Sequence, residues 1–178
     1  MASSLYPEEG STESAAYLEL VRELRRGTVP NLFRMLGHNL TVATAWLSLG
    51  SAIRFDTSLD DSVRELAICQ VAARTDCQYE LSHHQPLALQ AGISERLVHT
   101  LPDWRSIPVT DLERMVLSHV DDLLERGKRP PSESVVMTLG TKGTAELTAT
   151  VGYYLATSVF CRGMLIEDDD ALDRIATL

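Results

Sequence analysis

From Ser14 onward the apolar residues of this chain recur at helical spacing, and no stretch alternates apolar and polar residues as a half-buried strand would. In "SAAYLELVRELRRG", Tyr17, Leu20, Val21 and Leu24 stand at i, i+3, i+4 and i+7, and Gly27 follows as a stop. "TVPNLFRMLGHN" offers Asn31 as an N-cap after Pro30. "LTVATAWLSLGSAIRF" is apolar nearly all round and reads as a buried helix. "SLDDSVRELAICQVAAR" opens with Ser58 or Asp60 as cap and carries Val63, Leu66, Ala67 and Val71 on one face. The next helix, "DCQYELSHHQPLALQAG", has Asp76 as its expected cap, Gly92 as its stop and Pro86 inside it, where a kink or break is expected. Ser94 caps a short helix after it.

Further on, Thr110 and Glu113 form a capping box for a helix whose stripe is Leu112, Met115, Val116, Val120 and Leu123. Beyond the "KRPPSE" linker come a short helix and a long, mostly apolar one, "GTAELTATVGYYLATSVFCRGM". The fold class expected is all-α, with about eight helices. Residues 1–13, rich in Ser, Glu, Gly and Pro, read as a mobile leader, and residues 14–178 as one helical domain. The apolar last helix points to deep burial or a subunit interface.

Charge narrows the function classes. A net charge of −9 opposes nucleic-acid and anionic-membrane binding, both of which need a basic face. Three cysteines, Cys69, Cys77 and Cys161, lack paired spacing and do not form a disulfide framework. The N-terminal stretch has neither the basic nor the apolar region of a signal peptide, and no apolar run is long enough to span a bilayer. A cytoplasmic protein is the expectation.

Chemistry concentrates in "DCQYELSHH". At about 100° per residue, Cys77, Glu80 and His84 fall on one stripe over adjacent turns, while His83 faces elsewhere. Glu80 and His84 form an i, i+4 pair, in which a carboxylate can fix the imidazole tautomer and exchange protons near neutral pH. Cys77 in a first helical turn feels a dipole that favours its thiolate, opposed by Asp76. The adjacent histidines cannot share a face and no second ligand pair is present, so no metal site is expected. Bland alternatives stand beside each of these: Cys69 as a packed thiol, Arg64 as a surface ion pair, His119 as solvated or packed, Trp46, Trp104, Tyr153 and Tyr154 as core or interface, and "IEDDDALD" as a solvated end.

These residues resemble the carboxymuconolactone decarboxylase / AhpD-like superfamily. The resemblance runs from "VPNLFRMLGHN" through "LDDSVRELAICQVAARTDCQYELSHHQPLALQAGIS" to "TDLERMVLSHVDDLL" and "ELTATVGYY", roughly three quarters of the chain. In the peroxidase branch of that family a Glu precedes the first Cys of a Cys-x-x-Cys by twelve residues, and a His follows the second Cys by four. Glu65, Cys77 and His84 match those positions; the second Cys is replaced by Glu80, and a position often held by His is Tyr79. The chain therefore resembles a single-Cys branch, because a dithiol that stores two electrons needs a second thiol. Cys69, four residues after Glu65, is the one candidate partner for Cys77.

The resemblance implies an AhpD-like helical bundle that forms a homo-oligomer (trimer, hexamer or dimer). For the decarboxylase branch it implies acid–base chemistry without a cofactor. The expected catalytic residues are Glu65, Cys77, Glu80 and His84: Glu80 and His84 transfer protons, Glu65 orients His84, and Cys77 lines the pocket. Arg64, Tyr79 and His83 are the expected substrate-binding residues, Arg64 as a partner for a substrate carboxylate. The expected function is a lyase, isomerase or cyclase acting on a small carboxylate- or carbonyl-bearing metabolite. The alternatives are a thiol-dependent peroxidase or reductase with Cys77 as nucleophile, and a non-catalytic binding or assembly protein.

Overall fold

The computed structural model describes residues 6, 12–25, 27–126 and 131–169. Most of the expected leader lies outside the described residues, but Thr12 and Glu13 already belong to the first helix. All the described regular structure is helical: α1 (Thr12–Leu24), α2 (Asn31–Leu36), α3 (Leu40–Phe55), α4 (Asp61–Arg74), α5 (Gln78–Gln90), α6 (Glu95–Thr100), α7 (Asp111–Arg126) and α8 (Glu133–Gly163), with a 3-10 turn at Trp104–Ser106. The all-α class and the expected helix number agree with this.

The chain divides into two compact units, residues 1–55 with 161–178 and residues 56–160. In the first, α1 and α2 each pack on α3, and the Tyr17 hydroxyl donates to the Phe33 carbonyl at 3.0 Å. Asn31 is not the N-cap expected of it. It is the first residue of α2, after Pro30, and its N–H donates to the Asp169 carboxylate at 2.7 Å. The cap comes from a distant part of the chain, which local sequence does not reveal. The helix α3 is also less buried than its composition predicts: Ala43, Leu47, Gly50 and Ile53 face inward, while Val42, Leu49 and Phe55 are about half exposed.

The second unit is built around α4. Ten consecutive residues, Val63 to Ala72, are buried, because α5 and α7 both pack on this helix. A helix covered on several sides loses its amphipathic signature, and here even Arg64, Glu65 and Gln70 are inside. The turn from α4 to α5 is a Schellman motif: the Cys77 N–H donates to the Ala72 carbonyl at 2.9 Å and the Asp76 N–H to the Ala73 carbonyl at 3.3 Å. Asp76 supplies the left-handed residue, with φ 54°, a conformation Asp tolerates better than most residues. Asp76 therefore ends α4 instead of capping α5, and the N-cap is Cys77, one position before the helical turn expected to hold it. The same motif closes α5, with Gly92 at φ 90° and Ile93 N–H on the Ala88 carbonyl at 3.0 Å. No break occurs at Pro86; α5 runs through it. Packing on α4 and α6 outweighs the missing hydrogen bond, worth about 3 kcal/mol in an unsupported helix.

Ser94 caps α6 through the Leu97 N–H, and Thr110 and Glu113 make the expected reciprocal capping box on α7. Leu112, read into the α7 stripe, is 40% exposed, whereas Met115, Val116 and Val120 are buried. A buried carboxylate, Asp121 on α7, gathers the unit. It accepts from Gln70 Nε2 at 2.7 Å, Trp104 Nε1 at 3.1 Å and Arg105 at 2.6 Å. His119 is packed beside Thr148, 3.2 Å from its hydroxyl, and burial pushes its pKa down, with Asp122 opposing. The expected short and long helices of the last segment are joined as α8 with a sharp break at Gly140, φ 66° and ψ 174°, a conformation open essentially only to glycine.

Two substitutions test this account. Asp76→Gly is expected to fold at least as stably as the native chain, and Asp76→Val to lose about 1–2 kcal/mol, measured by urea unfolding. Asp121→Ala strands the buried Gln70 and Trp104 donors and is expected to cost about 3 kcal/mol or more.

Candidate active site

Two adjacent helices of the second unit supply the site. Glu65 comes from the middle of α4, and Tyr79, Glu80, His83 and His84 from the first half of α5. The tight turn at Asp76 sets their register, so residues nineteen apart in sequence meet. His84 Nδ1 lies 2.6 Å from Glu65 Oε2. An ionised carboxylate only accepts, so Nδ1 carries the proton and the imidazole is fixed in tautomer. Nε2 faces Glu80 Oε2 at 3.6 Å, too long for a hydrogen bond. All three are buried: Glu65 is 3%, Glu80 4% and His84 6% exposed.

Arg64 stands behind Glu65. Its Nε donates to Glu65 Oε1 at 3.3 Å and its NH2 to Asp61 Oδ1 at 2.6 Å. The guanidinium is itself mostly buried, so it braces the carboxylate that holds His84. His83 points away from the stripe, as the helical wheel requires. Its Nδ1 is 2.7 Å from the Tyr79 carbonyl, and its ring lies 4.5 Å from the Tyr79 ring. Cys77 is buried at the N-cap of α5.

The cysteines are free thiols. Cys69 is fully buried on α4, and burial pushes its pKa well up, with the Glu65 and Glu80 carboxylates adding to the rise. The thiolate that disulfide chemistry requires is suppressed there. Among the described residues, no group of three His, Cys, Asp or Glu side chains is arranged to hold a metal ion.

Tyr154 was expected to be core or interface. It sits edge-on to His84, ring centroids 4.9 Å apart and planes at 85°. Asp61, on Arg64, also went unread. The "YY" doublet on an apolar helix was the only signal for the first, and an acid three residues before Arg64 the only one for the second.

Comparison with known proteins follows this geometry. Residues 41–117 match the model of the carboxymuconolactone decarboxylase family. Over that stretch, which holds Glu65, Tyr79, Glu80, His83 and His84, the chain is similar to this family. A peroxidase-related protein from Silicibacter sp. TM1040 is similar in structure, with a TM-score of 0.76 and 16% identity over 92% of this chain and 88% of that one. So is an alkylhydroperoxidase AhpD core, a peroxidase-related protein from Ralstonia eutropha JMP134, with a TM-score of 0.74 and 14% identity over 100% and 94%. At such identities the likeness shows the fold alone. No curated protein matches the sequence.

The thiol geometry makes a prediction. In the native chain at about pH 8, Cys69 should resist iodoacetamide and react only after unfolding. Its raised pKa means that the native state keeps a proton the unfolded state loses. Stability should therefore fall as pH rises above about 8.5, with a shallower slope in Cys69→Ala, as followed by urea unfolding across pH.

Proposed function

We propose that this site is a cofactor-free proton-transfer centre, acting on a small metabolite that bears a carbonyl or carboxylate. The observation that carries the reading is His84 between two buried carboxylates, bonded to Glu65 and facing Glu80 across 3.6 Å. Arg64 is the cation that balances Glu65, and it shares its charge with Asp61. On this reading the His84–Glu80 pair carries the proton that is exchanged, because two buried groups of different intrinsic pKa whose atoms lie 3.6 Å apart can act as one acid and one base.

With Nδ1–H held by Glu65, the neutral His84 offers its Nε2 lone pair as a base. It takes a proton from carbon next to a carbonyl, and the C–H electron pair moves onto the carbonyl oxygen as an enolate. Glu80, in its acid form, protonates that oxygen or returns a proton to carbon at a second position, which is an isomerisation. In a decarboxylation the bond to the departing CO2 supplies the electron pair, and the same acid protonates the carbanion. Both outcomes use the same two groups with their pKa values pushed apart by environment. Tyr79 and His83 border the stripe and are proposed to contact substrate. Cys77, buried at the N-cap of α5, is proposed to line the substrate pocket.

The peroxidase-related names of the two structural neighbours favour a second reading, in which Cys77 is a nucleophile activated by His84 and Glu65. The carboxylate in place of a second thiol argues against it. We further propose a homo-oligomer, supported by the exposed Val42, Leu49 and Phe55 on α3 and Met137 and Val159 on α8, and a reducing, cytoplasmic setting, supported by three free thiols.

Solvent deuterium exchange into a panel of small ketones, keto acids and lactones separates the two. His84→Ala is expected to lose roughly 10²–10⁴-fold of the exchange, and Cys77→Ser to keep most of it. Peroxide consumption with a dithiol donor that vanishes in Cys77→Ser, alongside unchanged exchange in His84→Ala, would establish the thiol reading instead.

A further inference from the structure

We infer that the outward face of α8 is the surface on which a second copy of this chain docks, antiparallel, with a two-fold axis beside Gly152. The inference rests on the homo-oligomer reading and gives that assembly an interface. Ala145, Ala149, Gly152, Ala156 and Val159 recur at alternate spacings of four and three, so they fall on one face of the helix. All five are exposed. Leu155 beside them is 36% and Val159 64% exposed. From Leu147 to Cys161 the sequence carries no charge, although the whole chain stands at −9. On the N-terminal side of this stretch, Lys142 and Glu146 pair with each other at 3.6 Å, and Glu146 also accepts from the Ser58 hydroxyl at 2.7 Å. The face therefore offers a charged partner no complementary group. Its partner has to be uncharged at the contact, as a second α8 is.

Gly152 identifies the crossing point. Glycine inside a helix lowers its stability, and Gly152 has ordinary helical backbone, so no left-handed conformation requires it. A Cβ built there would meet nothing within 4 Å, so no packing inside the chain requires it either. What the missing side chain permits is the close approach of a backbone from outside, with helix axes about 8 Å apart. The two halves of the face differ in size. Ala145, Thr148 and Ala149 lie before Gly152, and Leu155 and Val159 lie after it. Along the small half runs a groove of about 560 Å³, lined also by Pro131 and Val136. Antiparallel pairing about Gly152 sets Val159 of one copy over Ala145 of the other, and Leu155 over Ala149. The larger side chains then enter the groove, and each copy gives and receives the same contact, as an isologous interface requires. Parallel pairing would set small on small and large on large, and leave the groove unfilled.

Cross-linking and sedimentation of the full chain test this without a substrate. Gly152→Cys should form a disulfide-linked dimer under a mild oxidant, because a two-fold axis there brings the two Cα atoms within about 7 Å. Met137→Cys, at a side chain 79% exposed but far from the axis, should not. Ala145→Cys mixed with Val159→Cys should link one to the other, and each alone should stay unlinked. Gly152→Arg has open space at its Cβ. It should keep the native circular dichroism spectrum and weaken association, read by sedimentation velocity, by about tenfold or more. Should Gly152→Arg not fold, the cross-links alone decide. Self-linking of Ala145→Cys or Val159→Cys overturns the antiparallel pairing. An oligomer whose association is unchanged in folded Gly152→Arg, and whose Gly152→Cys does not link, overturns the interface and leaves the homo-oligomer reading standing. If the native chain sediments as a monomer, the face serves a different partner, and the homo-oligomer reading and this inference fail together.

Discussion

The hydrogen bond from His84 to Glu65 is the constraint around which the second unit is arranged. It joins α4 to α5 in a buried position, where a misplaced carboxylate or imidazole would carry a desolvation cost with nothing to offset it. Meeting that geometry requires a turn of fixed length and handedness. Asp76 provides it by adopting a left-handed conformation and closing α4 with two backbone hydrogen bonds. Arg64 then compensates Glu65 from the adjacent position. A side chain can reach its neighbour's carboxylate in this way because α4 is covered on several sides, which keeps both groups away from water.

The charge arrangement has a chemical consequence that the positions alone do not convey. A dithiol at this place in a helical hairpin would accept and release electrons with no net change in buried charge beyond its own protons. A carboxylate cannot store electrons, but it can exchange protons and it responds to every charge nearby, and here it faces an imidazole at 3.6 Å. The Cys69 thiol is suppressed mainly by burial, and the Glu65 and Glu80 carboxylates add to the cost of a further negative charge there. Replacing sulfur by a carboxylate at Glu80 thus disfavours thiolate chemistry in its immediate surroundings.

Much of this was legible in the sequence, for reasons that can be stated. Helical spacing, capping signals such as Thr110 with Glu113, and glycine stops such as Gly92 are local, and the structure carries them out. The stripe of Cys77, Glu80 and His84 followed from the helical repeat, and Glu65 from the resemblance; that Glu65 and Glu80 meet at one imidazole is seen only in the folded chain. What sequence did not reveal depends on contacts between distant segments. Asn31 lost its capping role to Asp169, 138 residues away. Pro86 failed to break α5 because neighbouring helices hold it. The apolar α3 left Leu49 and Phe55 exposed because composition counts residues without saying which face is covered. Asp76 is an instructive miss: Asp before a helix reads as an N-cap, yet the same residue ended the helix before it.

The aromatic side of the site points to a division of labour along the chain. The two nitrogens of His84 are addressed by the local hairpin, whose register the Asp76 turn fixes. The Tyr154 ring of α8 stands edge-on to the imidazole, in the unit where the buried carboxylate of Asp121 ties α7 to α4. On the proposed acid–base reading, the segment from Glu65 to His84 supplies the reacting groups, and a change there would remove the chemistry instead of slowing it.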